Sequence, residues 1–354
     1  MNLNIFRKND FFTALPLPIS IMKFKTKVTL SLVAMALTAS NLVAAQTTLL
    51  NASYDVAREF YKDINVAFIA SYKKTAGKDI KIDQAHGGSS AQARAVNDGL
   101  DADVVTMNTT TDVDFLASTG VVAKDWTKKF PNNAAPTSST MLFLVRNGNP
   151  KGIKDWDDLI KPGVQVIVVN PKTGGNGRMA YLAAWGAVRK KGGTDAQAAE
   201  FVAKLYKNVP VLAKGGRDAT TIFLQRNIGD VLVTFESEVV SVDKEFGAGK
   251  VDAIHPSSSI IAENPVAVVE RTVAKKGTAE AAKAYLNFLY SDEGQEIAAQ
   301  HAIRPRNPAI LKKYASTFKP IALFTVDQYF GSFAEAQKVH FNDGGQFDKI
   351  YTVK

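Results

Sequence analysis

The chain has 354 residues, 43 of them basic and 34 acidic, a formal charge of +9, and no cysteine. The missing cysteines exclude thiol catalysis, thiolate metal sites and disulfides, so stability has to come from a packed core, which a chain of this length can build. No Lys/Arg run with interleaved aromatics occurs, which argues against a nucleic-acid partner and leaves the charge as a means of steering small anions.

In chain order, the first element reads as an export signal. The basic segment Met22–Lys27 precedes the apolar run VTLSLVAMAL and then NLVAAQ. Val43 and Ala45 supply the small residues of a signal-peptidase site, with cleavage expected between Ala45 and Gln46. The apolar run is about ten residues, well short of the roughly 20 that span a bilayer. Residues 1–21 read as an extension ahead of a signal that could start at Met22. Removing 1–45 leaves 38 basic and 33 acidic residues, a net charge of +5. The mature chain is expected to be exported, and to have no retained membrane anchor.

From Gln46 onward, strand-like runs alternate with amphipathic helical segments, the pattern of an α/β fold. TLLNASY reads as a strand. The following segment is apolar at Val56, Phe60, Ile64 and Phe68 and predicts a helix ending at Gly77. IKIDQAHGG gives a strand and glycine turn, SSAQARAVNDGL a helix, and DADVVTMN a strand. TSSTMLFLVRNG is a strand with a Ser/Thr-rich entry, suited to a crossing between lobes. VQVIVVNP, VPVLA, DVLVTFE and PVAVVER supply further strands. AEAAKAYLNFLYSDEGQEIAAQ reads as a helical pair, which the prolines of IRPRNPAI prevent from continuing.

Four strand-to-helix turns are lined by small residues: ASYD (52–55), HGGSS (86–90), NPKTGGN (170–176) and KGGRDATT (214–221). Such turns expose backbone N–H groups at helix N-termini, where an anion is stabilised, and open α/β sheets bind ligands at these strand ends. Side chains that would do chemistry are scarce around them. Ser89 and Ser90 lack a GxSxG elbow, Lys172 lacks the Walker spacing, and His86, His255, His301 and His340 form no metal-ligand pair. His86 is expected to brace its glycine turn and Lys172 its loop. Trp126, Trp156 and Trp185 read as packing residues. Asp155, Asp157 and Asp158 read as an acidic helix start rather than a calcium loop. No cofactor, metal or catalytic residue is expected.

DQAHGGSSAQARAV (83–96), GNPKGIKDWDDLIKPGVQVIVVNPKTGGNGR (148–178), YLAAWG (181–186), GDVLVTFESE (229–238), YLNFLYSDEGQEIAA (285–299), RPRNP (304–308) and HFNDGGQFD (340–348) carry a resemblance. Across essentially all of the mature chain they resemble the periplasmic sulfate-binding proteins that serve sulfate/thiosulfate ABC importers. The resemblance implies a two-lobed, type 2 periplasmic-binding-protein fold, each lobe a mixed sheet flanked by helices, joined by a strand hinge. Residues 46–139 with 262–354 would form lobe 1, and 140–261 lobe 2.

It also implies a dehydrated dianion, sulfate or thiosulfate, held mainly by main-chain N–H groups of Asp55 and Ser89 from lobe 1 and Gly175, Asn176 and Gly216 from lobe 2. Arg178 and Arg217 would support the loops without touching the ligand. The family has a serine where this chain has Gly174 and a tryptophan where it has Phe235, so two side-chain donors are missing unless Asn176, Ser90 or Thr220 replaces them. Thiosulfate, whose terminal sulfur accepts hydrogen bonds weakly, fits a site with Phe235. An all-donor pocket rejects phosphate, whose proton needs an acceptor. Asp55 is therefore expected to cap its own helix; if it or Glu236 faced the cleft as an acceptor, phosphate would fit. The protein would act as a monomer docking on an ABC permease. The alternatives are a phosphate or molybdate receptor, or an esterase acting on sulfate or phosphate esters.

Overall fold

The computed structural model describes residues 46–351; the expected signal peptide lies outside the described residues. β1 (Thr47–Tyr54) leads through a 3-10 turn at Asp55–Ala57 into α1 (Arg58–Ala76). The helix stops where predicted, at Gly77, whose φ of 66° closes it in the left-handed conformation. Then follow β2 (Ile80–Gly87), α2 (Ser89–Asn97), β3 (Val104–Thr106), α3 (Thr110–Ser118) and a left-handed turn, α4 (Pro131–Ala134). β1 pairs in parallel with both β2 and β3, which requires the crossovers α1 and α2. Phe60, Ile64 and Phe68 form one buried stripe on α1.

The Ser/Thr-rich segment becomes two strands, β4 (Thr137–Ser139) and β5 (Met141–Arg146), broken at Thr140. β5 is buried over Met141–Val145, as a strand with both faces covered must be. β6 (Val166–Val169), α5 (Gly175–Lys190), α6 (Asp195–Lys207), β7 (Leu212–Ala213), α7 (Gly216–Thr220), β8 (Val231–Phe235), α8 (Ser237–Phe246) and β9 (Val251–Ile254) complete a five-stranded sheet of order β7-β6-β8-β5-β9.

The chain returns through β10 (Ser258–Ile260), β11 (Ala262–Asn264) and β12 (Val266–Val268). β12 adds antiparallel to β3, giving a first sheet of order β12-β3-β1-β2. α9 (Glu270–Lys276), the expected helical pair α10 (Ala279–Phe288) and α11 (Asp292–Gln300), β13 (Arg304–Pro305) and α12 (Pro308–Lys313) follow. β11, β4 and β13 form a small sheet of their own where the chain passes between the two larger ones. This is the strand hinge that the Ser/Thr-rich entry suggested.

The last stretch, expected with the rest of 262–354 in lobe 1, makes contacts with β10, α5 and α6. β14 (Ala322–Phe324) pairs with β10, and the Phe324 ring fills the space a side chain at Gly186 of α5 would need. After α13 (Val326–Phe330) and α14 (Phe333–Ala336), α15 (Gln346–Ile350) lays Phe347 against Tyr206 of α6, ring centroids 5.4 Å apart. The tail is fixed by aromatic packing, which its polar, glycine-interrupted sequence does not advertise.

Candidate functional site

The four small-residue turns meet where the lobes touch. A Cβ placed on Gly88 would lie 3.0 Å from the Thr173 carbonyl and 3.5 Å from that of Lys214, so two lobe 2 loops close over the start of α2. Ser89 is buried; its hydroxyl donates to Asp112 Oδ2 at 2.6 Å and accepts from the Asn108 N–H. The first-turn N–H groups of α2, α5 and α7 have no intrahelical acceptors, as in any helix, and that of Arg217 is taken by Asp55.

In NPKTGGNGR, the Asn170 carbonyl accepts from the N–H groups of Thr173 and Gly174, both at 3.1 Å, and Thr173 Oγ1 donates to the Lys214 carbonyl. Its glycines have separate reasons. A side chain on Gly177 would strike the backbone of Val169–Pro171, and one on Gly175 would strike Asn108 and Thr109 of the other lobe. Gly174 is freer: its backbone is extended, and a Cβ there would meet chiefly Val169 Cγ1, at 2.9 Å. Lys172 braces the loop as expected, by ion pairs to Asp348 (3.0 Å) and Asp343 (3.4 Å).

Two expectations are refined by the geometry. Asp55 does take its own Val56 N–H (3.0 Å), but its other oxygen accepts from the Arg217 N–H of α7 at 3.1 Å, across the cleft. Burial pushes its pKa up, against the two backbone hydrogen bonds. Arg178 supports the turns of the other lobe rather than its own loop. It leaves α5 to form a buried ion pair with Asp112 (2.6 Å), and donates to Ser90 Oγ (2.5 Å), Thr109 Oγ1 (3.2 Å) and Gln337 (3.0 Å). Burial would raise the Asp112 carboxyl; the Arg178 charge and hydrogen bonds from Ser89, Arg178 and Thr109 outweigh it and hold it low. Arg217 pairs with Glu245 on α8 while its N–H serves Asp55.

Phe235 ends β8, buried, with Tyr54 edge-on at 6.5 Å between centroids. Glu236 is gripped by Nε and Nη2 of Arg304 (2.7 and 2.9 Å), in the hinge strand β13, so both of its oxygens are taken. Burial pushes Glu236 up and Arg304 opposes it. Thr220 donates to Glu238 Oε2 at 2.5 Å and to the Gly216 carbonyl. Glu238 is fully buried, its Oε1 has no hydrogen-bond partner among the described residues, and burial lifts its pKa to about 7. Asn176 donates through Nδ2 to Thr234 Oγ1 (3.2 Å).

Sequence reasoning passed over Asn108, Thr109, Asp112 and Glu238. Asn108 and Thr109 lie in the turn after β3 and Asp112 in the first turn of α3, where Thr109 and Asp112 carry the spacing of a helix start and pair at 2.9 Å. That spacing was visible; the arginine it receives, 66 residues away in sequence, was not. Elsewhere the indole N–H groups of the three tryptophans are satisfied internally, by Asp114, the Ser258 carbonyl and Asp195. Asp155 caps a 3-10 helix in a capping box with Asp158. His86 pairs with Gln84 on its own strand.

The family model for bacterial extracellular solute-binding proteins matches residues 49–304. A thiosulfate-binding protein of Pseudomonas aeruginosa is 55% identical over 323 residues, covering 91% of this chain and 97% of that protein. A sulfate-binding protein of Escherichia coli is 50% identical over 315 residues, covering 89% and 96%. Among solved structures, the sulfate-binding protein SubI from Mycobacterium tuberculosis is 31% identical with a TM-score of 0.77, covering 84% of this chain and all of that one. The chain belongs to the bacterial extracellular solute-binding proteins, in the group whose curated members are named sulfate-binding and thiosulfate-binding proteins.

Proposed function

We propose that this protein captures sulfate or thiosulfate between its lobes, in the periplasm, and delivers it to an ABC permease without making or breaking a bond. The observation that carries the reading is the convergence of the N-termini of α2, α5 and α7 at the lobe contact, where Gly88 meets Thr173 and Lys214. Main-chain N–H groups of Asp55, Ser89, Gly175, Asn176 and Gly216 are the donors, with Gly174 and Phe235 beside the ligand. Helix N-termini contribute partial positive charge, and donors saturate the oxyanion without a counter-ion. The neighbouring charges support this division of labour: Arg178 is taken by Asp112, Glu236 by Arg304 and Arg217 by Glu245.

Lobe 1 is then residues 46–139 with the stretch through α12, and lobe 2 is 140–261 with the tail from β14. The ligand stabilises the closed arrangement by binding both lobes at once. A second reading, a receptor for hydrogenphosphate, is favoured by two carboxylates that could accept that ligand's proton: Asp55, whose Oδ2 reaches across the cleft to the Arg217 N–H, and Glu238, whose buried Oε1 has no partner among the described residues. Small-angle scattering of residues 46–354 tests capture: sulfate or thiosulfate at micromolar excess should reduce the radius of gyration, with no product formed from either anion. An unchanged radius with both anions, or turnover of a chromogenic sulfate ester, contradicts the reading.

A further inference from the structure

Asn108 stands at the one place where a turn of the first sheet reaches the first residue of α5. It follows β3 and is 3% exposed, and its N–H donates to Ser89 Oγ at 3.3 Å. Its side-chain oxygen has no hydrogen-bond partner among the described residues. That oxygen lies against Gly175, because a Cβ built there would overlap it. A buried amide oxygen without a partner is costly and uncommon in a folded protein. Here it is wedged between the first turns of α2 and α5, the two helix starts that face each other across the cleft.

The other polar side chains there each have a partner, Ser90 as an acceptor and Thr220 and Asn176 as donors. Ser90 takes the Arg178 guanidinium, Thr220 donates to Glu238 and the Gly216 carbonyl, and Asn176 uses Nδ2 on Thr234. Gly174 has no hydroxyl and Phe235 no N–H. Asn108 on lobe 1 has a buried side-chain oxygen with no partner among the described residues, as does Asn176 on lobe 2, whose amide nitrogen is already held by Thr234.

We propose that the side-chain amide of Asn108 contacts the bound anion directly from lobe 1 and determines which anion the cleft accepts. This rests on the reading of the cleft as an oxyanion site. The oxygen and nitrogen of an amide exchange places by a half-turn about a broad, two-fold torsion. Facing a dianion, the NH₂ group is the end that gains a charge-assisted hydrogen bond. The contact supplies from the first lobe what Gly174 and Phe235 lack in the second.

The test is isothermal calorimetry with sulfate and with thiosulfate on the wild type, Asn108→Ala and Asn108→Asp, alongside thermal unfolding of the ligand-free proteins. Asn108→Ala should weaken the anion bound by the wild type roughly 10- to 100-fold, with its ligand-free melting temperature unchanged or raised. Asn108→Asp, the same size but with oxygen in place of NH₂, should weaken it further. Affinity in Asn108→Ala within twofold of wild type overturns the proposal, as does wild-type affinity in Asn108→Asp. So does a fall in ligand-free melting temperature large enough to account for the lost binding. If the wild type itself binds neither anion, the oxyanion reading fails first.

Discussion

Replacing Arg178 by methionine removes a charge that the closed protein holds between its lobes. The guanidinium sits on α5, its partner Asp112 on α3, and they meet at 2.6 Å with 7% and 4% of their surfaces exposed. With the lobes apart, both groups would face water, so the substitution weighs on the closed form. There it leaves Asp112 buried with only the Ser89 and Thr109 hydroxyls, at 2.6 and 2.9 Å. Breaking a buried pair by deleting one partner costs about 3–5 kcal/mol, and the two remaining donors place this case near the lower end. About 3 kcal/mol is roughly 100-fold in affinity.

Asp112→Asn should do similar damage by stranding Arg178. The double variant Arg178→Met, Asp112→Asn removes both charges, and removing a whole buried pair is often close to neutral. Calorimetric titration of the four proteins should therefore show two weak single variants and a double variant recovering most of the loss. If the single variants bind like wild type, or the double variant loses the sum of both, the pair does not act as a latch on closure.

Gly174→Ser should strengthen sulfate binding roughly tenfold or more by adding a hydroxyl donor; the extended backbone accepts serine, and only Val169 Cγ1 has to yield. Equal sulfate affinity in wild type and variant by calorimetry would count against the placement of this residue. Gly175→Ala and Gly186→Ala form a contrasting pair, since the first collides with Asn108 and Thr109 across the cleft and the second with the Phe324 ring inside lobe 2. The first should lose anion affinity with its ligand-free melting temperature kept, the second should lose about 1–3 kcal/mol of stability in chemical denaturation. The pKa of Glu238 is raised by burial from 4.5 to about 7, so between those values the folded state holds a proton that the unfolded chain has released, and stability falls as pH rises. Denaturation at pH 5 and pH 8 should show Glu238→Gln lacking a decline of about 3 kcal/mol present in the wild type; the same decline in both proteins would place its cause elsewhere.

Local chemistry made much of the fold legible. The α1 stripe, its glycine stop and the paired α10 and α11 follow from periodicity, caps and prolines; the strand break at Thr140 does not, since TSSTMLFLVRNG reads as one strand. The small-residue turns were readable for the same reason, because a backbone that approaches another backbone closely needs glycine, as Gly88 and Gly177 do. What stayed hidden depends on contacts between distant segments. Arg178 is flanked by glycine and methionine, and nothing near it in sequence signals Asp112. The tail reads as polar turn and coil, yet Tyr181, His340, Phe341 and Phe347 stack into one aromatic cluster that fixes it to lobe 2. Asn108 read as the end of a strand, and only the closeness of Gly175 gives it meaning.

The measurement that bears most directly on the account is one calorimetric panel on residues 46–354 at neutral pH: sulfate, thiosulfate, molybdate and phosphate. Capture by neutral donors predicts that sulfate or thiosulfate binds tightest, and that phosphate, which keeps a proton the donors cannot accept, binds at least 100-fold more weakly. Phosphate binding as tightly as either sulfur oxyanion would contradict that claim and turn attention to Asp55 and Glu238 as acceptors.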